Sequence, residues 1–225
     1  MRRVRFRAVA SLGIFAEDDQ RRFSLTAFAE LLQSDVTGSL RAVATFAGKL
    51  WRWQAWRHLL QSVQTGETAF HHAYGMDWFE YLAQHPEASA VFNAAMATTE
   101  RHHAVCGAYD FSNIGTLVEV GGGTGMLLSN ILQANPQPHA VLCDTPQVRA
   151  RAKELLKEAG VADRCEMVEG DFFVRLPIGG DAYLLSLIIH DWENEEAIKI
   201  LKNCHRGNEA GRKAFPRRAN CAFWE

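Results

Sequence analysis

Residues 117–125 read Leu-Val-Glu-Val-Gly-Gly-Gly-Thr-Gly, an apolar run that ends in four glycines within five positions. The periodic run 126–134 follows at once, so the order is strand, tight turn, helix. Such a turn brings bare backbone N–H groups and the positive end of a helix to one point in space. That arrangement suits a nucleoside ligand better than it suits a mobile surface loop. His139 to Cys143 reads as a second short strand, and Asp144 ends it, 23 residues beyond Gly121. A carboxylate at that place can accept hydrogen bonds from both ribose hydroxyls. Gly121, Gly123 and Gly125 also resemble the dinucleotide fingerprint, which keeps an NAD-dependent oxidoreductase open as an alternative. The rest of the chain offers neither a hydride-transfer site nor a second nucleotide half.

With 225 residues, 48% of them hydrophobic, the chain can bury a core in one to two domains. A formal net charge of -2 gives no bulk attraction to nucleic acid or to a membrane. The five cysteines (106, 143, 165, 204 and 221) form no CxxC pair, so metal spacing is absent. Their odd count points to a reducing, cytoplasmic compartment. No stretch of about 18 apolar residues is present, and no apolar secretion core follows the basic start.

From the beginning of the chain, Val4 to Leu12 reads as a helix stopped by Gly13. Ile14-Phe15 and Phe23 to Leu25 read as a hairpin around an acidic turn, and Thr26 as the cap of a helix through Leu32. Helix, hairpin, helix is a winged-helix-like fragment. Glu17, Asp18 and Asp19 load its wing with negative charge, which argues against DNA. In the aromatic stretch 39–63, Leu50, Trp53, Trp56 and Leu60 share one helical face and are expected to pack inward. Further helices are expected over Trp78 to Ala83 and from Pro86 to about Ala108. This region reads as a mainly helical cap, in which Met76 and Met96 are more often core fillers than ligand contacts. From Leu117 the rhythm changes. Strands are expected at 117–120, 139–143, 165–168 and 182–189, and helices at 126–134, 146–159 and 194–205. This is α/β order, a Rossmann-like parallel sheet with helices on both faces.

Two more stretches carry chemistry. Gly170-Asp171-Phe172-Phe173 follows the third strand of that sheet. Asp171 can accept a hydrogen bond from a purine amino group, and Phe172 can lie against the base; the plainer reading is a capped turn over a core phenylalanine. In the run Tyr183 to Trp192, His190 ends an apolar strand on the edge that carries Gly121, Asp144 and Asp171. Imidazole there can take a proton from a weakly acidic hydroxyl. Asp191 can orient nearby backbone or cap the next helix.

Taken together, Leu117 to Gly125, Asp144, Gly170 to Phe173 and His190-Asp191-Trp192 resemble the class I S-adenosylmethionine-dependent O-methyltransferases. Within them the chain resembles the branch of plant phenolic, acetylserotonin and bacterial polyketide or carotenoid O-methyltransferases. Upstream, Gly13-Ile14-Phe15, Leu25-Thr26, Gly38-Ser39-Leu40, Tyr74-Gly75-Met76 and Phe92-Asn93 match that branch's helical, winged-helix-like dimerisation region. The resemblance implies S-adenosyl-L-methionine as cofactor. Glu119 and the loop carrying Gly121 and Gly123 would hold its methionine end, Asp144 its ribose, and Asp171 and Phe172 its adenine. His190 would be the general base. Trp53, Met76, Asn93 and Met96 would line the pocket for a small aromatic or polyketide-like hydroxyl acceptor. The family works as a homodimer through its N-terminal segments.

The reading therefore divides the chain into a helical dimerisation and acceptor-cap region (1–110), a partial cofactor domain (111–206) and a loose tail (207–225). The chain departs from the family pattern at both ends. Fewer helices precede Val4 than the family has, which would impair the homodimer, and after Arg206 the charges and Pro216 favour a disordered tail over the final strands. On that expectation the strand 182–189 is a bare apolar edge. Turnover would be weak or absent, leaving an inactive cofactor-binding or dimerisation module as the alternative.

Overall fold

The computed structural model describes residues 2–97, 105–210 and 221–224. The chain divides into two compact units, Met1–Thr98 and Thr99–Glu225.

The first unit starts with α1 (Arg2–Ala10), the hairpin β1 (Phe15–Glu17) and β2 (Phe23–Leu25), and α2 (Ala27–Glu30). The hairpin is antiparallel, with Phe15 opposite Leu25. The Phe6 ring on α1 lies 5.3 Å from the rings of both Phe15 and Phe23. The Arg7 guanidinium meets Glu17 at 2.8 Å, so one acid of the wing is engaged by the helix beside it. Thr26 accepts from the N–H of Ala29 and donates to the carbonyl of Ile14 at 2.7 Å, tying hairpin to helix. The helix stops at Glu30, short of the expected Leu32.

Six short helices follow: α3 (Arg41–Ala47), α4 (Leu50–Trp56), α5 (Leu59–Thr65), α6 (Ala69–Tyr74), α7 (Trp78–Gln84) and α8 (Pro86–Met96). The expected inward face of Leu50, Trp53, Trp56 and Leu60 is corrected here. These side chains are 70%, 61%, 58% and 69% exposed. The helix breaks at Arg57 and His58, so the apolar period does not run unbroken from 50 to 60. The packing ring is instead Trp51, whose centroid lies 5.6 Å from Phe46 and 5.1 Å from Trp78. Of the long helix expected from Pro86 to about Ala108, the first segment ends at Met96, residues 98–104 lie outside the described residues, and residues 105–108 are helical.

In the second unit, β3 (Thr116–Val120), β4 (His139–Asp144), β5 (Cys165–Glu169), β6 (Ala182–Ser186) and β7 (Cys221–Trp224) form one sheet in the order β5-β4-β3-β6-β7. Every neighbouring pair is parallel. Helices α9 (Met126–Ala134), α10 (Pro146–Glu158) and α11 (Asn194–Ala210) connect the strands. Alternation along the strands splits the core in two. Leu117, Leu142, Ala182 and Leu184 pack with α9 and α10, while Val118, Val120, Cys143, Tyr183 and Leu185 pack with Ile200 and Cys204 of α11. Cys143 is buried, and burial pushes its thiol up to about 11. The Cys165 thiol goes up to about 12 for the same reason, so neither is a reactive nucleophile.

Two expectations change in this unit. The strand 182–189 stops at Ser186, because Leu187 turns to a left-handed φ of 59° and ends the ladder. The described stretches after Arg206 also depart from the expected loose tail. Helix α11 continues to Ala210, and Asn208 reaches the carbonyls of Gly180 and Asp181 at 3.0 and 3.1 Å. Beyond it, β7 pairs with β6 over Tyr183–Ser186, so β6 is not a bare edge and its backbone groups find partners. Residues 211–220 and 225 lie outside the described residues.

The C-terminus of α9 is held by two side chains: Asn135 Nδ2 donates back to the carbonyl of Ile131 at 2.9 Å, and Arg164 reaches across from after α10. Arg164 donates to the carbonyls of Leu132, Asn135 and Pro138 at 2.6, 2.9 and 3.3 Å. A planar guanidinium fork fits three carbonyls at a negative helix end, whereas an ammonium does not. Arg164→Ala is expected to lower unfolding free energy by about 2 kcal/mol, and Arg164→Lys to recover less than half of it. Urea denaturation of the three proteins checks this; full recovery by lysine would show that charge alone sufficed.

Candidate functional site

The sheet order places a switch point at the centre. The chain leaves β3 towards β4 on one side and later returns to β6 on the other, so the carboxyl ends of β3 and β6 flank a crevice. Gly121 leaves β3 there with φ +67°. A Cβ on Gly121 would lie 2.5 Å from Ile188 Cδ1 and 3.7 Å from Phe172 Cε1. The first glycine, the turn after β5 and the segment after β6 therefore converge at one spot.

Glu119 lies on the β3 face that carries Leu117, beneath the start of α9. Its side chain is buried at 2% exposure. The N-cap of α9 is Gly125, which has no side chain to offer, and the Leu128 N–H at the start of that helix favours the charged form of Glu119. Glu119 Oε2 is buried and has no hydrogen-bond partner among the described residues. A Cβ on Gly122 would come within 2.5 Å of that oxygen, so the turn lies directly on the carboxyl. Burial first, and the Asp144 carboxylate second, push Glu119 up to about 8, against the pull of the Leu128 N–H.

This shift has a consequence for stability. A carboxyl with a folded pKa near 8 and an ordinary unfolded one binds more protons folded than unfolded between those values. Stability is thus highest below the unfolded pKa and falls as pH rises towards 8. Glu119→Gln is expected to remove a decline of a few kcal/mol between about pH 5 and pH 8. Denaturation free energies at both pH values check it, and equal slopes in the two proteins would refute it.

Asp144 ends β4 half-buried. Its Oδ2 accepts the Gly123 N–H at 2.7 Å, and its Oδ1 the Thr145 N–H at 2.6 Å. The carboxylate thus fixes the glycine turn from the neighbouring strand and borders a cleft with Thr145, Pro146 and Met167. Asp171 is exposed, and its Oδ1 accepts the Phe173 N–H at 2.8 Å, closing the turn. The Phe172 ring stands edge-on to Trp192 at 5.8 Å, and its carbonyl accepts from Asn203 Nδ2 at 2.8 Å. Asn203 is a buried positioning residue on α11 that no sequence pattern marks.

His190 does not end a strand. It sits in the short 3-10 turn Ile189–Asp191, beyond the left-handed Leu187. Its ring is half exposed, and Nε2 lies 3.3 Å from Asp191 Oδ1. Burial raises the Asp191 carboxyl above its usual value, with His190 pulling the other way. Asp191 thus engages the imidazole itself, where the sequence suggested a role towards backbone or the next helix. Trp53, Met76, Asn93 and Met96 belong to the first unit. Asn93 donates to Ser89 Oγ at 3.3 Å, Met76 is half-buried, and Met96 and Trp53 are exposed. Among the described residues no group of three histidine, cysteine or acidic side chains could hold a metal, and no helix is long and apolar enough to cross a membrane.

Residues 56–214 match the O-methyltransferase domain family, so the match runs past Arg206. The chain is 47% identical over 206 residues to a phenazine O-methyltransferase of Lysobacter antibioticus, covering 91% of this chain and 60% of that protein. It superposes on the solved structure of a mitomycin 7-O-methyltransferase with a TM-score of 0.82 at 36% identity, over 89% of this chain and 60% of that one. A third relative is an O-methyltransferase from neocarzinostatin biosynthesis, solved with S-adenosylmethionine and 2-hydroxy-5-methyl naphthoic acid. There the TM-score is 0.74 at 30% identity, over 89% of this chain and 63% of that one. The chain spans about three fifths of the length of the curated relatives it matches.

Proposed function

Because this chain belongs to the O-methyltransferase domain family, we propose that it binds S-adenosyl-L-methionine at the crevice between β3 and β6 and moves its methyl group to a hydroxyl of a small aromatic or polyketide-like acceptor. The observation that carries the proposal is the convergence at Gly121 of the glycine turn, Phe172 and Ile188, with the buried, unpartnered Glu119 oxygen against the adjacent Gly122. Those groups suit the cofactor. A side-chain-free turn admits close approach, Asp144 offers acceptors for ribose, and the orphaned carboxyl oxygen suits an ammonium. Two relatives' structures contain S-adenosylmethionine or S-adenosylhomocysteine, which supports the same cofactor here.

When bound, the cofactor supplies an electrophilic methyl group on a sulfonium. The residues' own work is placement and proton handling. The turn at Gly121 and Gly123, braced by Asp144 and Glu119, holds the methionine end. Asp144 takes the ribose hydroxyls, and Asp171 with Phe172 takes the adenine. Holding an acceptor hydroxyl close to the bound cofactor, in a fixed orientation, would be the main contribution of the fold. His190 accepts the hydroxyl proton at the ring nitrogen that does not face Asp191, and Asp191 steadies the imidazolium. Trp53, Met76, Asn93 and Met96 contribute to the acceptor pocket. The chain works as a homodimer through its N-terminal unit, a reading favoured by the exposed apolar side chains of α4 and α5. The winged-helix-like start serves that association rather than DNA.

Calorimetry with S-adenosylhomocysteine, NAD and duplex DNA tests the reading. Binding of S-adenosylhomocysteine alone, followed by methyl transfer to a panel of phenols, hydroxyindoles and polyketides, is the expected result. Binding of NAD in its place would overturn it.

A further inference from the structure

Two carboxylates flank the glycine turn, and they are in opposite conditions. Asp144 has both oxygens engaged by backbone N–H groups. Glu119 is buried, its Oε2 has no partner among the described residues, and the turn backbone at Gly122 rests against that atom. Three groups act on the Glu119 carboxyl from the elements around it. These are the Asp144 carboxylate from β4, the Leu128 N–H at the start of α9, and the Cys165 thiol from β5. None is a cation, so a charged Glu119 would sit beside another negative group in a dry interior.

We propose that Glu119 carries a proton in the ligand-free chain and releases it to solvent when the ammonium group of the cofactor's methionine end settles on the glycine turn. This rests on the cofactor reading above and extends it, by making cofactor binding a proton-coupled event at a positioning residue. The proton balance is simple. The ammonium keeps its three protons, the Glu119 carboxyl loses one to the buffer, and a buried carboxylate gains the counter-charge that the chain itself does not supply. The raised Glu119 pKa agrees with the geometry.

The test is calorimetric titration of the purified chain at about pH 6.5, where the ligand's amino group is fully protonated, in two buffers of different ionisation enthalpy. S-adenosylhomocysteine is expected to release about one proton on binding. 5′-Methylthioadenosine keeps adenine and ribose but lacks the amino-acid end, and it should release none. Glu119→Gln should bind S-adenosylhomocysteine with buffer-independent heat. Binding by the unsubstituted chain with the same heat in both buffers overturns the inference and leaves the cofactor reading standing. No binding at all overturns both. Should Glu119→Gln fail to fold, the unsubstituted chain still decides the matter. Its affinity for S-adenosylhomocysteine should rise close to tenfold per unit between about pH 6 and pH 7, and a flat profile would refute the coupling.

Discussion

His190→Ala is expected to slow methyl transfer by about 10²–10⁴-fold, the usual contribution of a positioned general base. Affinity for S-adenosylhomocysteine should stay within about twofold, because the substitution removes an interaction made to the reacting hydroxyl and not to the nucleoside. The imidazole stands half exposed in the turn after β6, with Nε2 3.3 Å from Asp191 Oδ1. That contact leaves the other ring nitrogen to meet an acceptor and gives the imidazolium a nearby countercharge. His190→Gln keeps much of the shape without a titrating group and should be almost as slow. The measurement is single-turnover transfer from S-adenosylmethionine to an accepted phenol, alongside calorimetry. Equal single-turnover rates for His190→Ala and the unsubstituted chain would remove the base from the mechanism.

Asp144→Ala should have the larger effect on binding. The carboxylate does two things in the proposed complex: it holds the Gly123 N–H at 2.7 Å, and it offers acceptors to two ribose hydroxyls. Hydrogen bonds to a charged group contribute about 1.5–3 kcal/mol each, so affinity for S-adenosylhomocysteine should fall by about 100-fold or more. Asp144→Asn is the informative partner. Its carboxamide oxygen can keep the Gly123 contact, but its NH₂ group faces the Thr145 N–H that Oδ1 accepts and can only donate to the hydroxyls, so its loss should be smaller than alanine's but still clear. Thermal unfolding separates loop damage from ligand loss. A cofactor contact predicts weak binding in a chain whose unfolding transition is little changed. Unchanged affinity in Asp144→Ala would move the ribose elsewhere in the crevice.

How much of this was legible in the sequence differs from residue to residue. The β3–α9 unit was, because a short apolar run, four glycines and a 3.6-period run are local patterns with local causes. Asp144 was legible too, since it closes a strand whose place beside β3 follows from α/β order. His190 was found by its residue type, but its setting was not. The run Tyr183 to Ile189 has strand composition throughout, and nothing in it announces that Leu187 turns left-handed. Ile188 has the composition of one more strand residue, so nothing along the chain marks it. The tryptophan stripe misled because spacing along one helix cannot reveal that the helix breaks at Arg57 and His58.

By itself the sequence determined which segments could be strands and helices, where backbone had to be bare of side chains, and which acids stood at strand ends. These follow from steric and periodic rules that act over a few residues. Only the tertiary structure decided that Cys221–Trp224 would border β6, that Phe172 and Ile188 would meet over Gly121, and that Glu119 would lie dry beneath Gly122 beside Asp144. Strand pairing and desolvation depend on which distant segments come together, and no residue spacing along the chain carries that information.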